Sequence, residues 1–306
     1  MAHLPPDRSH VLTEQRNPRT MDLHALSVAQ CVQVIQQEDR AVIAALEEAA
    51  PQIEAFISAA EPGFVAGGRL VYVGAGTSGR LGVLDASEAP PTFQVQPGRI
   101  VGIIAGGDSA LRKSSEGKED DPRGAWDELR ALELNANDSV IGIAAGGTTP
   151  YVHGVFEFVA ALSSRPKTAL LTCSPVPQPE KADHMIVLAT GPEVLTGSTR
   201  MKAGTATKMA LNTISTVLMI RSGRVYENLM VDMRATNEKL RDRGARIITT
   251  LTGLARAEAL ELLGRAGNSV KAAVVMHHKQ VDHAGAERLL GEQHGRLEKV
   301  LGDRRI

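Results

Sequence analysis

Residues 71–93 read VYVGAGTSGRLGVLDASEAPPTF. The apolar run 70–73 predicts a buried strand, and the Gly74-Ala75-Gly76-Thr77-Ser78-Gly79 stretch that follows satisfies the G-x-G-x-x-G pattern of dinucleotide-binding loops. Three features weigh against a dinucleotide. The acidic residue that would bind a ribose belongs about 20 residues on, at the end of the second strand. Here that strand runs into Ala105-Gly106-Gly107-Asp108, and Asp108 lies 29 positions beyond Gly79. Pro90-Pro91 is expected to stop the helix opened by the glycines after about three turns. Thr77 and Ser78 also place two adjacent hydroxyls beside flexible backbone at a helix N-terminus. Amide N–H groups, hydroxyl donors and a positive dipole end make a cradle for one phosphate, with Arg80 as a nearby cation.

Beyond this stretch, short apolar runs alternate with helix-forming stretches: LVYV (70–73), IVGIIA (100–105), VIGIAA (140–145), ALLTC (169–173) and MIVLA (185–189). Strands that are apolar throughout are buried on both faces, so the predicted fold is α/β, a doubly wound parallel sheet with helices on each side. Ligands in such sheets bind beyond the carboxyl ends of the strands, which directs attention to the loops starting at Gly74, Gly106 and Gly146. Three helices are expected before the first strand: one from Ser27, which forms a capping box with Gln30, one over 39–49, and one over 52–65 opened by Pro51. Beyond Thr196 the pattern predicts helices near 202–220 and 228–240, then a small C-terminal three-helix unit over 252–266, 269–280 and 285–301. We divide the chain at 245/246, giving an α/β domain with an N-terminal helical arm over 1–245 and a helical domain over 246–306.

With 34 Lys+Arg against 35 Asp+Glu, the formal charge is −1. That balance leaves no electrostatic footprint for nucleic acid or an anionic membrane, so an anionic ligand must be held locally. No apolar run reaches the roughly 18 residues of a membrane span, and the opening MAHLPPDRSH lacks a charged-then-apolar signal pattern. Cys31 and Cys173 sit in apolar runs without metal-type spacing, as expected of reduced, buried thiols in a cytoplasmic protein. His277, His278 and His283 read as surface histidines, because neighbours on a helix point about 100° apart, and Trp126 reads as a packing residue.

A second donor-rich loop lies at 196–208, TGSTRMKAGTATK, with four threonines, one serine, two glycines and three cations entering a helix. So many hydroxyls exceed what one helix cap uses, which marks Ser198, Thr199 and Thr205 as candidate ligand contacts. Asn237 and Glu238, in RATNEKL, fit either a site or a helix cap.

The combination VGAGTSGR, LDASEAPPTF, IAGG, EGKED, TGSTRMKAGTATK and NLMVDMRATNEKL, with TEQRNPRTMDL near the start, resembles the N-acetylmuramic acid 6-phosphate etherases, a branch of the sugar isomerase (SIS) fold. The resemblance covers nearly the whole chain. It implies that Gly76, Thr77, Ser78 and Gly79 belong to a sugar-phosphate site. It also implies a homodimer and a cofactor-independent, metal-free lyase that turns N-acetylmuramate 6-phosphate and water into N-acetylglucosamine 6-phosphate and D-lactate.

That chemistry requires removing the acidic C2 proton of the open-chain aldehyde and protonating the departing lactyl oxygen. Two carboxyl groups in different protonation states can share the work. Glu88 and Glu119 match the family's paired active-site glutamates. Glu88 resembles its proton donor, and its expected place at a helix C-terminus, where the dipole disfavours negative charge, suits a general acid. Glu119, in EGKED, is left as base or water activator. One departure stands out: AAGGTTPY has Gly146 and Thr148 where the family more often has serine and arginine. The rival readings are a non-catalytic sugar-phosphate sensor, resembling the glucokinase regulatory protein, and an aldose-ketose isomerase. Neither releases lactate.

Overall fold

The structure, a computed structural model, describes residues 7–302; the first six residues of the MAHLPPDRSH opening and the last four of the stretch expected as a helical domain over 246–306 lie outside them. Packing groups the chain into two compact units. One comprises the chain up to Glu88 together with Pro97–Ser215, and the other comprises Ala89–Gln96 together with the chain from Thr216 onward.

The first unit opens with short 3-10 turns at Leu12–Glu14, Pro18–Thr20 and Leu23–Ala25, followed by α1 (Val28–Asp39) and α2 (Ala41–Val65). The Ser27–Gln30 capping box forms as expected. The two helices predicted over 39–65 are a single one, α2, which runs through both Pro51 and Pro62. A proline inside a helix costs about 3 kcal/mol, whereas each large apolar side chain fully buried contributes about 1.5–3 kcal/mol. The face carrying Ile53, Phe56, Ile57 and Phe64 is buried, so packing outweighs the break.

Then come β1 (Leu70–Gly74), α3 (Gly76–Phe93), β2 (Ile100–Ile104), α4 (Trp126–Ala131), β3 (Ser139–Ile143), α5 (Pro150–Ala160), β4 (Lys167–Thr172), β5 (His184–Val187) and α6 (Lys202–Arg221). The five strands form one parallel sheet in the order β2-β1-β3-β4-β5, as the apolar runs predicted. Val71, Val73, Val140 and Leu170 pack with Val152, Val155, Phe156 and Val159 of α5 on one face. Trp126 packs as expected: its indole donates to the Gly154 carbonyl at 3.0 Å and its ring lies 5.9 Å from that of Phe158.

In the second unit the predicted helix over 228–240 is a two-stranded hairpin, β6 (Val225–Tyr226) and β7 (Leu229–Met230), followed by extended chain. Helix α7 (Glu238–Thr252) starts only where the Asn237 side chain accepts the Leu240 N–H at 2.9 Å, so Asn237 is a cap. Helices α8 (Arg256–Arg265) and α9 (Val270–Lys279) follow. The stretch read as one helix over 285–301 is two, α10 (His283–Glu292) and α11 (Leu297–Leu301), parted where His294 and Gly295 take positive φ. Helix α9 is the centre of this unit, with Val270 and Ala272–Val275 fully buried. His278 is not a free surface group, since its Nε2 lies 2.8 Å from the Leu251 carbonyl. No helix among the described residues is long and apolar enough to cross a membrane.

Candidate active site

The sheet order reverses direction at β1, because β2 lies on one side of it and β3 on the other. That switch point is where open α/β sheets form ligand crevices. A cleft of about 200 Å³ sits there, lined by Ala75–Ser78 after β1 and by residues 143–146 with Thr148 and Thr149 after β3.

The glycine loop is held by close packing. A Cβ on Gly79 would stand 2.6 Å from the Gly74 carbonyl oxygen and from an Ile104 side-chain carbon, so only glycine lets α3 start this close to the sheet. Gly76 has φ +54°, a left-handed conformation that favours glycine. Their result is a tight strand-to-helix turn with Ser78 almost buried and Thr77 half-buried at the N-terminus of α3. Amide and hydroxyl donors there face one small volume, the chemistry that receives a phosphate.

The second donor loop contributes less than its hydroxyl count suggested. Thr199 and Gly197 line the cleft, but Ser198 and Thr205 do not. Thr205 is exposed within α6 and its hydroxyl donates to the Met201 carbonyl at 2.9 Å. Gly79 is spent on packing rather than on the cleft wall.

Glu119 lines the cleft and is half-buried, and its carbonyl accepts the Tyr151 N–H at 3.0 Å, which ties its segment to the start of α5. Glu88 does not line it. The helix expected to stop before Pro90-Pro91 continues to Phe93, because two prolines in a last turn sacrifice only the final ladder bonds. Glu88 therefore sits exposed in the last third of α3, not at its end. One turn earlier, Asp85 fixes this helix: its carboxylate accepts from the Tyr72 hydroxyl at 2.9 Å and the Ser215 hydroxyl at 3.2 Å, and burial raises its pKa. Arg80, the expected cation, is also absent from the lining; its guanidinium reaches the Lys113 carbonyl at 3.4 Å.

The wall that sequence reasoning missed is the N-terminal segment. Arg8, Val11 and Glu14 line the cleft, and Arg8 is the cation among its described lining residues. Backbone bonds seat this segment: Leu12 N–H donates to the Ser174 hydroxyl at 2.7 Å, and Gly197 N–H to the Thr13 carbonyl at 3.1 Å.

Outside the cleft lining lies a buried ion network. Lys202, fully buried at the first position of α6, places Nζ 2.8 Å from Glu38 Oε2, and Asn17 Nδ2 donates to the same oxygen at 2.8 Å. The guanidinium of Arg19 pairs with Glu38 at 2.5 Å. That pairing, helped by Lys202 and Asn17 against the cost of burial, lowers the Glu38 carboxyl to about 2. Glu193, buried and with its pKa raised by burial, accepts the N–H groups of Lys202 at 3.1 Å and Ala203 at 2.9 Å. The network thereby fixes where α6 begins and so where Thr199 stands. Cys173, fully buried with its thiol pushed up to about 12 by desolvation, packs beneath the same helix; Cys31 is only half-buried, short of the burial expected for it.

Known proteins fit this arrangement. The chain is 49% identical over 297 residues to the N-acetylmuramic acid 6-phosphate etherase of Gloeobacter violaceus, covering 97% of this chain and 96% of that protein. The chain belongs to the N-acetylmuramic acid 6-phosphate etherase family. Family members from Pectobacterium atrosepticum (47% over 292 residues, 95% of this chain and 96% of that one) and Bacillus licheniformis (46% over 292 residues, 94% and 95%) align equally fully. The pattern of the glucokinase regulatory protein N-terminal SIS domain matches residues 48–160, from within α2 to the end of α5, a stretch that holds β1, β2 and β3.

Proposed function

We propose that this chain is a cofactor-independent etherase that cleaves the D-lactyl ether of N-acetylmuramate 6-phosphate. The observation that carries this reading is the meeting of Thr77, Ser78 and Thr199 with Glu119 in one switch-point cleft, in a member of the etherase family. The phosphate sits against Thr77, Ser78 and the start of α3. Glu119 takes the C2 proton of the open-chain aldehyde, the C3–O bond breaks, and the lactyl oxygen leaves with a proton from Glu88. Water then adds at C3 of the unsaturated aldehyde while C2 regains a proton, giving N-acetylglucosamine 6-phosphate and D-lactate. Residues 1–245 carry this chemistry and 246–306 form a helical domain.

The working form is a homodimer in which Glu88 completes the cleft of the other copy. Two features support it. Glu88 is exposed and outside the lining of the cleft in its own chain. Helix α1 turns apolar side chains outward, with Val28 at 83% and Val32 at 49% exposure, while Glu38 is its one buried residue. Both free thiols suit a cytoplasmic setting, which keeps them reduced.

The test is D-lactate release from N-acetylmuramate 6-phosphate by the purified protein in chelator-treated buffer, run in D₂O. The expected result is stoichiometric lactate and deuterium at C2 of the product. Lactate without C2 deuterium would overturn the elimination, and tight binding without lactate would replace the enzyme with a sensor.

A further inference from the structure

The second unit holds a larger cleft, about 690 Å³, that shares no lining residue with the glycine-loop cleft. Its walls are polar and carry three cations, Arg224, Arg234 and Lys271, against two carboxylates, Asp232 and Glu287. We propose that this cleft is a second binding site, for a phosphate monoester on a sugar-sized polar body.

Lys271 lies at the centre of this cleft's charge. The residue is only 6% exposed, and its ammonium donates to the Gly295 carbonyl at 2.6 Å and lies 3.4 Å from Asp232 Oδ1. An ammonium has three N–H donors, and the third meets no partner among the described residues. Asp232 is shared, because its other oxygen pairs with Arg224, so one carboxylate answers two cations. Burial lowers the pKa of Lys271, the mark of a positive charge held at a cost that an anion would repay.

Arg234 adds a guanidinium that is exposed and unpaired among the described residues, and the backbone of its segment bridges to Ser269. Ser269 caps α9, accepting the Ala272 N–H at 3.2 Å, so its hydroxyl hydrogen is left to donate into the cleft that it lines. Surplus positive charge, a spare buried ammonium donor, a free guanidinium fork and a helix start converge on one polar cavity. A phosphate dianion satisfies all four. The volume lies in the range of small-molecule sites and far exceeds a bare phosphate, which calls for the sugar-sized body.

The test uses the full chain carrying Thr77→Val and Ser78→Ala, which weaken the glycine-loop cleft. Titration calorimetry with glucose 6-phosphate, inorganic phosphate and glucose is paired with hydrogen exchange across 222–234 and 269–295. Glucose 6-phosphate is expected to bind and to slow exchange in those segments, inorganic phosphate to bind more weakly at the same place, and glucose not to bind. Arg234→Gln, an exposed substitution that leaves the core intact, is expected to weaken binding about tenfold, the value of one charge-assisted hydrogen bond. Lys271→Met tests the centre, with its fold checked by circular dichroism. No binding by either phosphate, binding unchanged in Arg234→Gln, or protection confined to the glycine loop would overturn the proposal.

Discussion

The two clefts are opposite solutions to holding a charged ligand. In the glycine-loop cleft most of the lining is backbone, small apolar and hydroxyl groups, with Arg8, Glu14 and Glu119 as its charged members, while Glu38 and Lys202 are outside the lining, locked in a buried network. In the second-unit cleft the ions are the lining itself: Arg224, Asp232 and Lys271 face the cavity. Preorganised neutral donors leave room for reactive carboxyl groups of independent protonation state, whereas a lining of ion pairs commits its charges to binding. Reaction chemistry belongs with the first arrangement and recognition with the second.

The largest effect is expected at the carboxylate of the glycine-loop cleft. Glu119→Gln is expected to lower kcat for lactate release by about 10²–10⁴, the usual contribution of general acid-base catalysis, with KM little changed. Next in size is the buried Glu38–Lys202 network. Glu38→Ala leaves the Lys202 ammonium buried without its carboxylate and should cost about 3–5 kcal/mol in urea denaturation.

The same group gives the pH dependence its sign. The folded pKa of Glu38, about 2, lies below its ordinary value of 4.5, so its contribution to stability is fully present above pH 4.5 and is lost as pH falls toward 2. The urea midpoint of the parent should fall across that window more steeply than that of Glu38→Gln, and parallel curves would show that the network does not stabilise the fold.

Smaller effects sharpen the contrast. Thr77→Val with Ser78→Ala should raise KM roughly tenfold while kcat holds, because hydroxyl contacts to a phosphate remote from C3 bind ground and transition states alike. A fall in kcat instead would mean that the loop acts on the reacting carbons. Asn237→Ala, which removes the cap of α7, should cost only about 1 kcal/mol in thermal unfolding and leave lactate release intact. Lost activity would return Asn237 to the site.

The sheet and its loops were legible because burial on both faces writes itself as continuous apolar runs, and Thr77, Ser78, Thr199 and Glu119 come together where strand order reverses. Prolines misled the reading twice: local propensity at Pro51 and Pro90-Pro91 predicted breaks that packing along α2 and placement in the last turn of α3 override. The hairpin 225–230 was hidden for a related reason, since apolar residues of so short a stretch fit helix and strand periods equally. Arg8 and Glu14 could not be read as cleft residues, because only long-range backbone bonds to 174 and 197 bring their segment over the sheet. The expectation for Glu88 rested on the family resemblance and on a helix end; the chain does not make that end there, which removes the dipole argument and leaves the resemblance.

That displacement makes the two-copy site the central claim. The most direct measurement is lactate release by a mixture of Glu88→Gln and Glu119→Gln chains, each inactive alone, after subunit exchange. If Glu88 serves the cleft of the other copy, half of the dimers regain one intact site of two, and about a quarter of parent activity should return in a symmetric dimer. Activity that stays at the level of the separate variants would contradict the account and place both carboxylates on one chain.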